Sequence, residues 1–297
     1  MTTRSTLLFL LSLGVLPAGL RAQVQFDPDI KEYGFAKVKN YVQTGAASPG
    51  AASSYSFNVW VDKRPGGVLN AAKYGWQTSE GFAALGLHSG GADQESVFSA
   101  LEILDSNRPN NMTYTLRMDT RGSASLLDPQ NPAADYEVSL GMFTEATTAV
   151  YPDAAPTVQT NSGTWMDGKL KLTTNLDAAF GWSWAGFNPE VSVINFTIAP
   201  AAGGADVVSQ RFTGTFTGGF TVAANTLTSG VDYVGRLTFA NLLDSDTTSV
   251  PGATGYAFFG AETTFTIQAV PEPSTYALLV LGGGLLILAA RRSRARG

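Results

Sequence analysis

The chain has 297 residues, 14% of them charged, with 44% hydrophobic residues, one histidine and no cysteine. That composition excludes disulfides, thiol nucleophiles, cysteine-ligated zinc or iron–sulfur centres and any multi-histidine metal site, while leaving ample apolar material for a core. With the six arginines of the two ends and Glu272 set aside, 13 basic and 23 acidic residues remain, so the body carries a charge near −10 and should repel nucleic acid.

Residues 1–22 have the layout of a secretory signal peptide. Arg4 precedes an apolar run from Leu7 to Leu16, followed by Pro17-Ala18-Gly19-Leu20-Arg21-Ala22, with cleavage placed after Ala22. The expected consequence is export through the general secretion machinery.

From residue 23 to 270 the dominant pattern is alternation with period two, the mark of strands buried on one face. Tyr55, Phe57, Val59 and Val61 share a face, as do Met112, Tyr114, Leu116 and Met118. Tyr136, Val138, Leu140 and Met142 repeat the arrangement, followed by Phe212, Gly214 and Phe216, and finally by Phe265, Ile267 and Ala269. Turn-forming stretches separate them: Arg64-Pro65-Gly66-Gly67, Ser106 to Asn111, Asp128 to Pro132, and Ala199 to Gly204. Asp167-Gly168, between Trp165 and Leu170, is the strongest hairpin turn. Val97, Leu101 and Leu104 have helical spacing, but a strand buried on both faces is the preferred assignment there. Many short strands without alternating helices predict an all-β body, an antiparallel β-sandwich or jelly-roll-like extracellular domain. A division into two domains near Tyr151 to Pro156 is the alternative.

Candidate chemistry in the body is sparse. Trp182 and Trp184, two apart in a strand-like segment, would share a face and could form a carbohydrate platform, although core packing uses the same spacing. Gly181-Trp182-Ser183-Trp184-Ala185 superficially resembles a nucleophile elbow, yet it lacks a strand-to-helix setting and leaves His88 as the sole base. Asp27-Pro28-Asp29, Gly90-Gly91-Ala92-Asp93 and Asp244-Ser245-Asp246 are oxygen-rich loops where structural calcium could bind, without matching a known calcium loop. No catalytic, cofactor-binding or metal residue is assigned, and the body is expected not to be an enzyme.

The carboxy terminus carries the sharpest signal. Pro271, Glu272 and Pro273 are followed by an uncharged stretch from Tyr276 to Ala290, then by Arg291, Arg292, Arg294 and Arg296. The two prolines impose an extended, accessible segment. Residues 274–290 reach the short limit for a single transmembrane helix, and the basic tail at 291–297 fixes it on the cytoplasmic side. In this order and spacing, residues 271–297 resemble a PEP-CTERM sorting signal. The resemblance implies a Gram-negative bacterium in which an exosortase cuts near Pro271-Glu272-Pro273 and passes the body to the cell surface or extracellular matrix. The sorting residues are thus substrate for another enzyme. Before processing, the partners are that enzyme, the secretion machinery and the inner membrane. An exopolysaccharide is a further candidate partner, and the body is expected to be structural or adhesive, with a lectin-like module or a secreted polysaccharide-active enzyme as alternatives.

Overall fold

The computed structural model describes residues 30–271 apart from 68–73, 79–80, 89, 111, 119–135, 141–150, 153, 184–191 and 214–217. Among the described residues strand is the dominant element, with one short helix. The expected signal peptide, residues 274–290 and the arginines of the tail lie outside this range.

Three strands form the backbone of the molecule: β1 (Ile30–Gln43), β16 (Asp232–Asp246) and β17 (Thr254–Val270). At about 3.3 Å per residue, β17 alone runs for roughly 50 Å. It pairs antiparallel with β16 along nearly its whole length. On its other side, β1 runs parallel from Glu32 opposite Thr254 to Gln43 opposite Phe265, and β11 (Lys169–Thr173) then takes over in parallel from Thr266 to Val270. The expected all-antiparallel pairing is therefore corrected at the centre of the sheet, where both β1 and β11 run parallel to β17. Outward from this spine lie β13 (Ser192–Pro200) and β14 (Val208–Thr213) beyond β16, and β2 (Ser54–Lys63), β6 (Gly91–Phe98) and β5 (Gly86–His88) beyond β1. A hairpin joins β10 (Gly163–Met166) to β11. Its turn residues Asp167 and Gly168 both have positive φ, 54° and 75°, as a two-residue type I′ turn requires.

Two smaller sheets cover different halves of one face. The first contains β3 (Tyr74–Thr78), β4 (Gly81–Ala84), β7 (Tyr114–Met118) and β8 (Tyr136–Leu140). It closes a core in which Phe35, Phe57 and Val59 meet Trp76, Tyr114 and Leu116. The second contains β9 (Thr157–Thr160), β12 (Ala178–Ser183) and β15 (Gly219–Val222). It closes a core in which Phe196, Phe239 and Phe265 meet Val158, Phe180 and Trp182. β17 serves both, giving Ala257 and Phe259 to the first core and Phe265, Ile267 and Ala269 to the second. All five residues are odd-numbered, so the alternation holds one face of the strand inward throughout. The first core draws on residues 30–151 and again on Val250 to Phe259, and the second on Val158 to Ala269, so the chain passes to the second core after the segment singled out in the sequence and returns to the first before β17 ends in the second.

The junction is closed by Gln43, 1% exposed. Its side-chain amide donates to the Val158 carbonyl and accepts from the Val158 N–H, both at 2.9 Å, reproducing one rung of a backbone ladder between β1 and β9.

One local assignment is corrected. Residues Leu101–Asn107 form a short helix, α1, rather than a strand. Leu104 is fully buried while Val97, still in β6, is 61% exposed, so one apolar contact per turn holds the helix and no second buried face exists for a strand. Beneath α1 lies Lys37, on the core side of β1 and fully buried, whose ammonium donates to Asp105 at 2.9 Å and to Asn110 at 2.5 Å.

Candidate functional site

The end of β17 sets the geometry of the carboxy-terminal segment. Thr174 N–H donates to the Val270 carbonyl at 3.2 Å, Ala269 N–H to Val231 at 3.2 Å, and Gly230 N–H to Ala269 at 2.8 Å. The strand is therefore bonded on both sides to its last residue. Pro271 follows with no N–H to extend the ladder, so the sheet stops there by covalent chemistry. Of the sorting residues, Pro271 is described, at the strand's end; Glu272, Pro273, Arg291, Arg292, Arg294 and Arg296 lie outside the described residues. No described helix is long and apolar enough to cross a membrane.

The tryptophan platform fares differently. Trp182 sits in β12 at 5% exposure, stacked on Phe196 with ring centroids 5.5 Å apart and close to Phe212. Trp184 lies outside the described residues. The platform thus loses one of its two rings to the second core, because the face of β12 carrying Phe180 and Trp182 is the one turned toward the large sheet. The segment ending at Ser183 is a strand paired with β9 and β15.

The calcium candidates are also accounted for in part. Asp27 to Asp29 lie outside the described residues. Asp246 accepts from Tyr33 Oη at 2.9 Å and from Thr248 and Ser249 in its own turn. These bonds hold its carboxyl well below the usual carboxylate range, against the opposing effect of burial. Among the described residues no group of three or more His, Asp or Glu side chains is placed to hold a metal ion.

A feature absent from the sequence analysis lies on the other face of the large sheet, where the even-numbered residues of β17 point. A groove with a cavity of about 240 Å³ is floored by Ala36, Val38, Val193, Ala240 and Gly260. Trp60, Phe258 and Tyr256 form an aromatic row beside it. Trp60 and Phe258 are 6.2 Å apart with planes 12° from parallel, and Phe258 and Tyr256 are 5.5 Å apart at 22°. Gly34 makes this possible: a Cβ there would lie 2.7 Å from the far edge of the Trp60 indole, so the ring lies across β1 only because residue 34 has no side chain. Arg211, from β14, places its guanidinium 5.2 Å from the Tyr256 ring centre and bonds to Glu32 of β1. That bond spans the strands between β14 and β1, so the sheet curls into a trough. Glu262 accepts from Thr238 Oγ1 at 2.9 Å. Burial pushes its carboxyl above the usual range, partly offset by Thr238 and Arg236. The signal for this groove was legible in principle: Trp60 between Val59 and Val61, and Phe258 between Ala257 and Phe259, put aromatics on the face where alternation expects polar residues.

With both places described, comparison with known proteins decides one of them. Residues 269–294 match the family model of the PEP-CTERM protein-sorting motif. The chain ends in a PEP-CTERM sorting motif. The match begins on the last two residues of β17 and takes in Pro271, Glu272, Pro273, Arg291, Arg292 and Arg294, leaving Arg296 just beyond it. No curated protein matches the chain. Among solved structures, a crystal structure of the chicken CNTN1 FN1–FN3 domains aligns over 81% of this chain and 67% of its own, at 10% identity and a TM-score of 0.24. The PEP-CTERM motif thus concerns the exit from the fold and is silent on the groove.

Proposed function

We propose that this chain is the precursor of an exported cell-surface or extracellular-matrix protein of a Gram-negative bacterium, whose PEP-CTERM motif delivers it to an exosortase. In this view the body is not an enzyme; it is a structural or adhesive unit released from its membrane tail. The observation that carries the proposal is the direct join between the motif and β17. Every backbone bond of the strand is made by Val270, so a cut at or beyond Pro271 removes the tail without removing any residue that holds either core. From Pro271 to Thr275 an extended chain spans at most about 18 Å, which keeps the site of cutting close to the membrane surface.

Replacing Pro271, Glu272 and Pro273 together by alanine in the producing cell tests this. The variant should accumulate as an uncut precursor in the inner membrane while the native chain reaches the surface. Equal release of both would refute exosortase processing.

A further inference from the structure

We propose that the groove on the outer face of the large sheet binds a neutral pyranose glycan, one sugar ring lying on the Trp60 indole. Seated across Gly34, that indole lies along the sheet, and Trp60, Phe258 and Tyr256 continue one another at nearly parallel tilt. A pyranose ring has an apolar C–H face that packs on such a surface and a rim of hydroxyls, each both donor and acceptor. The groove supplies the matching rim: Asn195 offers an amide, Asp62 and Glu262 carboxyl oxygens, and Thr238 a hydroxyl.

Two observations narrow the ligand. Arg211 already covers the Tyr256 ring, and its guanidinium is fixed by Glu32, so that aromatic face is not open to an organic cation. Glu32, Asp62 and Glu262 outnumber Arg211 in this cavity and are only balanced by Lys31 and Arg236 in the one beside it, so the site has no net charge to draw an ionic glycan, and the acidic body around it disfavours an acidic one. A neutral sugar fits both conditions. The cavity continues into a second of about 430 Å³ that shares Glu32, Asp62, Asn195 and Arg211, giving a trough long enough for a chain rather than a single sugar.

This deepens the adhesive role proposed above, and rests on it only for where the glycan would be met. The test uses the full chain in detergent, with tryptophan fluorescence and affinity electrophoresis against cellohexaose, mannohexaose and dextran, a neutral polysaccharide extracted from the producing cells, and polygalacturonate as the acidic control. Trp60→Ala and Asn195→Ala are compared with Met166→Ala, an exposed residue of β10 outside the groove. At least one neutral glycan should bind, the Trp60 variant about tenfold more weakly, with Met166→Ala unchanged. If Trp60→Ala does not fold, the loss in Asn195→Ala decides, since its half-buried side chain belongs to neither core. Binding of the extracted glycan alone would assign a self ligand; binding of the purified ones would assign a foreign source as well. No neutral glycan bound, undiminished binding in the folded groove variants, or preference for polygalacturonate would overturn the proposal. A chain that is sorted but binds no glycan refutes the groove alone, and one that binds glycan but stays uncut refutes the sorting alone.

Discussion

Gln43 shows how one polar side chain can join two apolar cores. Its amide serves as a surrogate peptide group for Val158, because it carries an N–H donor and a carbonyl acceptor side by side in one plane, as a peptide group does. Gln43→Leu keeps much of the volume but strands a buried N–H and a buried carbonyl. The expected loss is about 2–6 kcal/mol, read from urea unfolding, at about 1–3 kcal/mol for each of the two orphaned groups; a loss below about 0.5 kcal/mol would show that the junction does not depend on it. Buried titratable residues make a second expectation. Burial raises the hydroxyls of Tyr33, Tyr41 and Tyr114 above their usual value of 10, so the folded chain keeps protons that the unfolded chain loses near pH 10. Their contribution is complete below pH 10 and lost as pH rises through and beyond it. Lys37 acts in the opposite sense, because burial lowers its ammonium and the fold sheds that proton first. Three groups outweigh one, so urea midpoints should fall between pH 9 and pH 11, and flat midpoints would contradict the burial of these hydroxyls.

At the scale of elements, β17 ties the molecule together, since Phe259 lies in one core and Phe265 in the other on one uninterrupted strand. Phe259→Ala and Phe265→Ala should each cost about 3–5 kcal/mol. Each should also lower a single calorimetric transition for the whole body; two separate transitions, one shifted by each variant, would show that the cores fold independently. The strands were legible in the sequence wherever apolar residues on one face alternated with polar ones on the other, as at Phe265 to Ala269. They were illegible where both faces are covered. Ala257 to Ala261 shows no alternation because Phe258 belongs to the aromatic row outside while Phe259 fills the core inside. Parallel pairing of β1 with β17 joins residues more than 200 positions apart, and nothing local in either strand records it. Helix α1 was assigned as strand for a related reason: of Val97, Leu101 and Leu104, whose spacing is helical, Val97 lies in β6 and only Leu104 is fully buried, so seven residues carry too short a periodic face to outweigh the apolar run. The groove, likewise, is made by strands β14, β13, β16, β17, β1 and β2 together, so only the out-of-place aromatics hinted at it.

The whole molecule divides into a body whose hydrogen bonds end at Val270 and a sorting motif whose matched residues begin at 269. This near coincidence gives the cut a narrow allowed place. Upstream of Ala269, cleavage would remove residues of the second core; downstream of Thr275 it would leave apolar residues of the 274–290 stretch on the released body. Intact-mass measurement of the protein recovered from the cell surface tests this most directly. The expected mass corresponds to a chain that begins near Gln23 and ends between Pro271 and Thr275. A surface form that still carries Arg296 would contradict it.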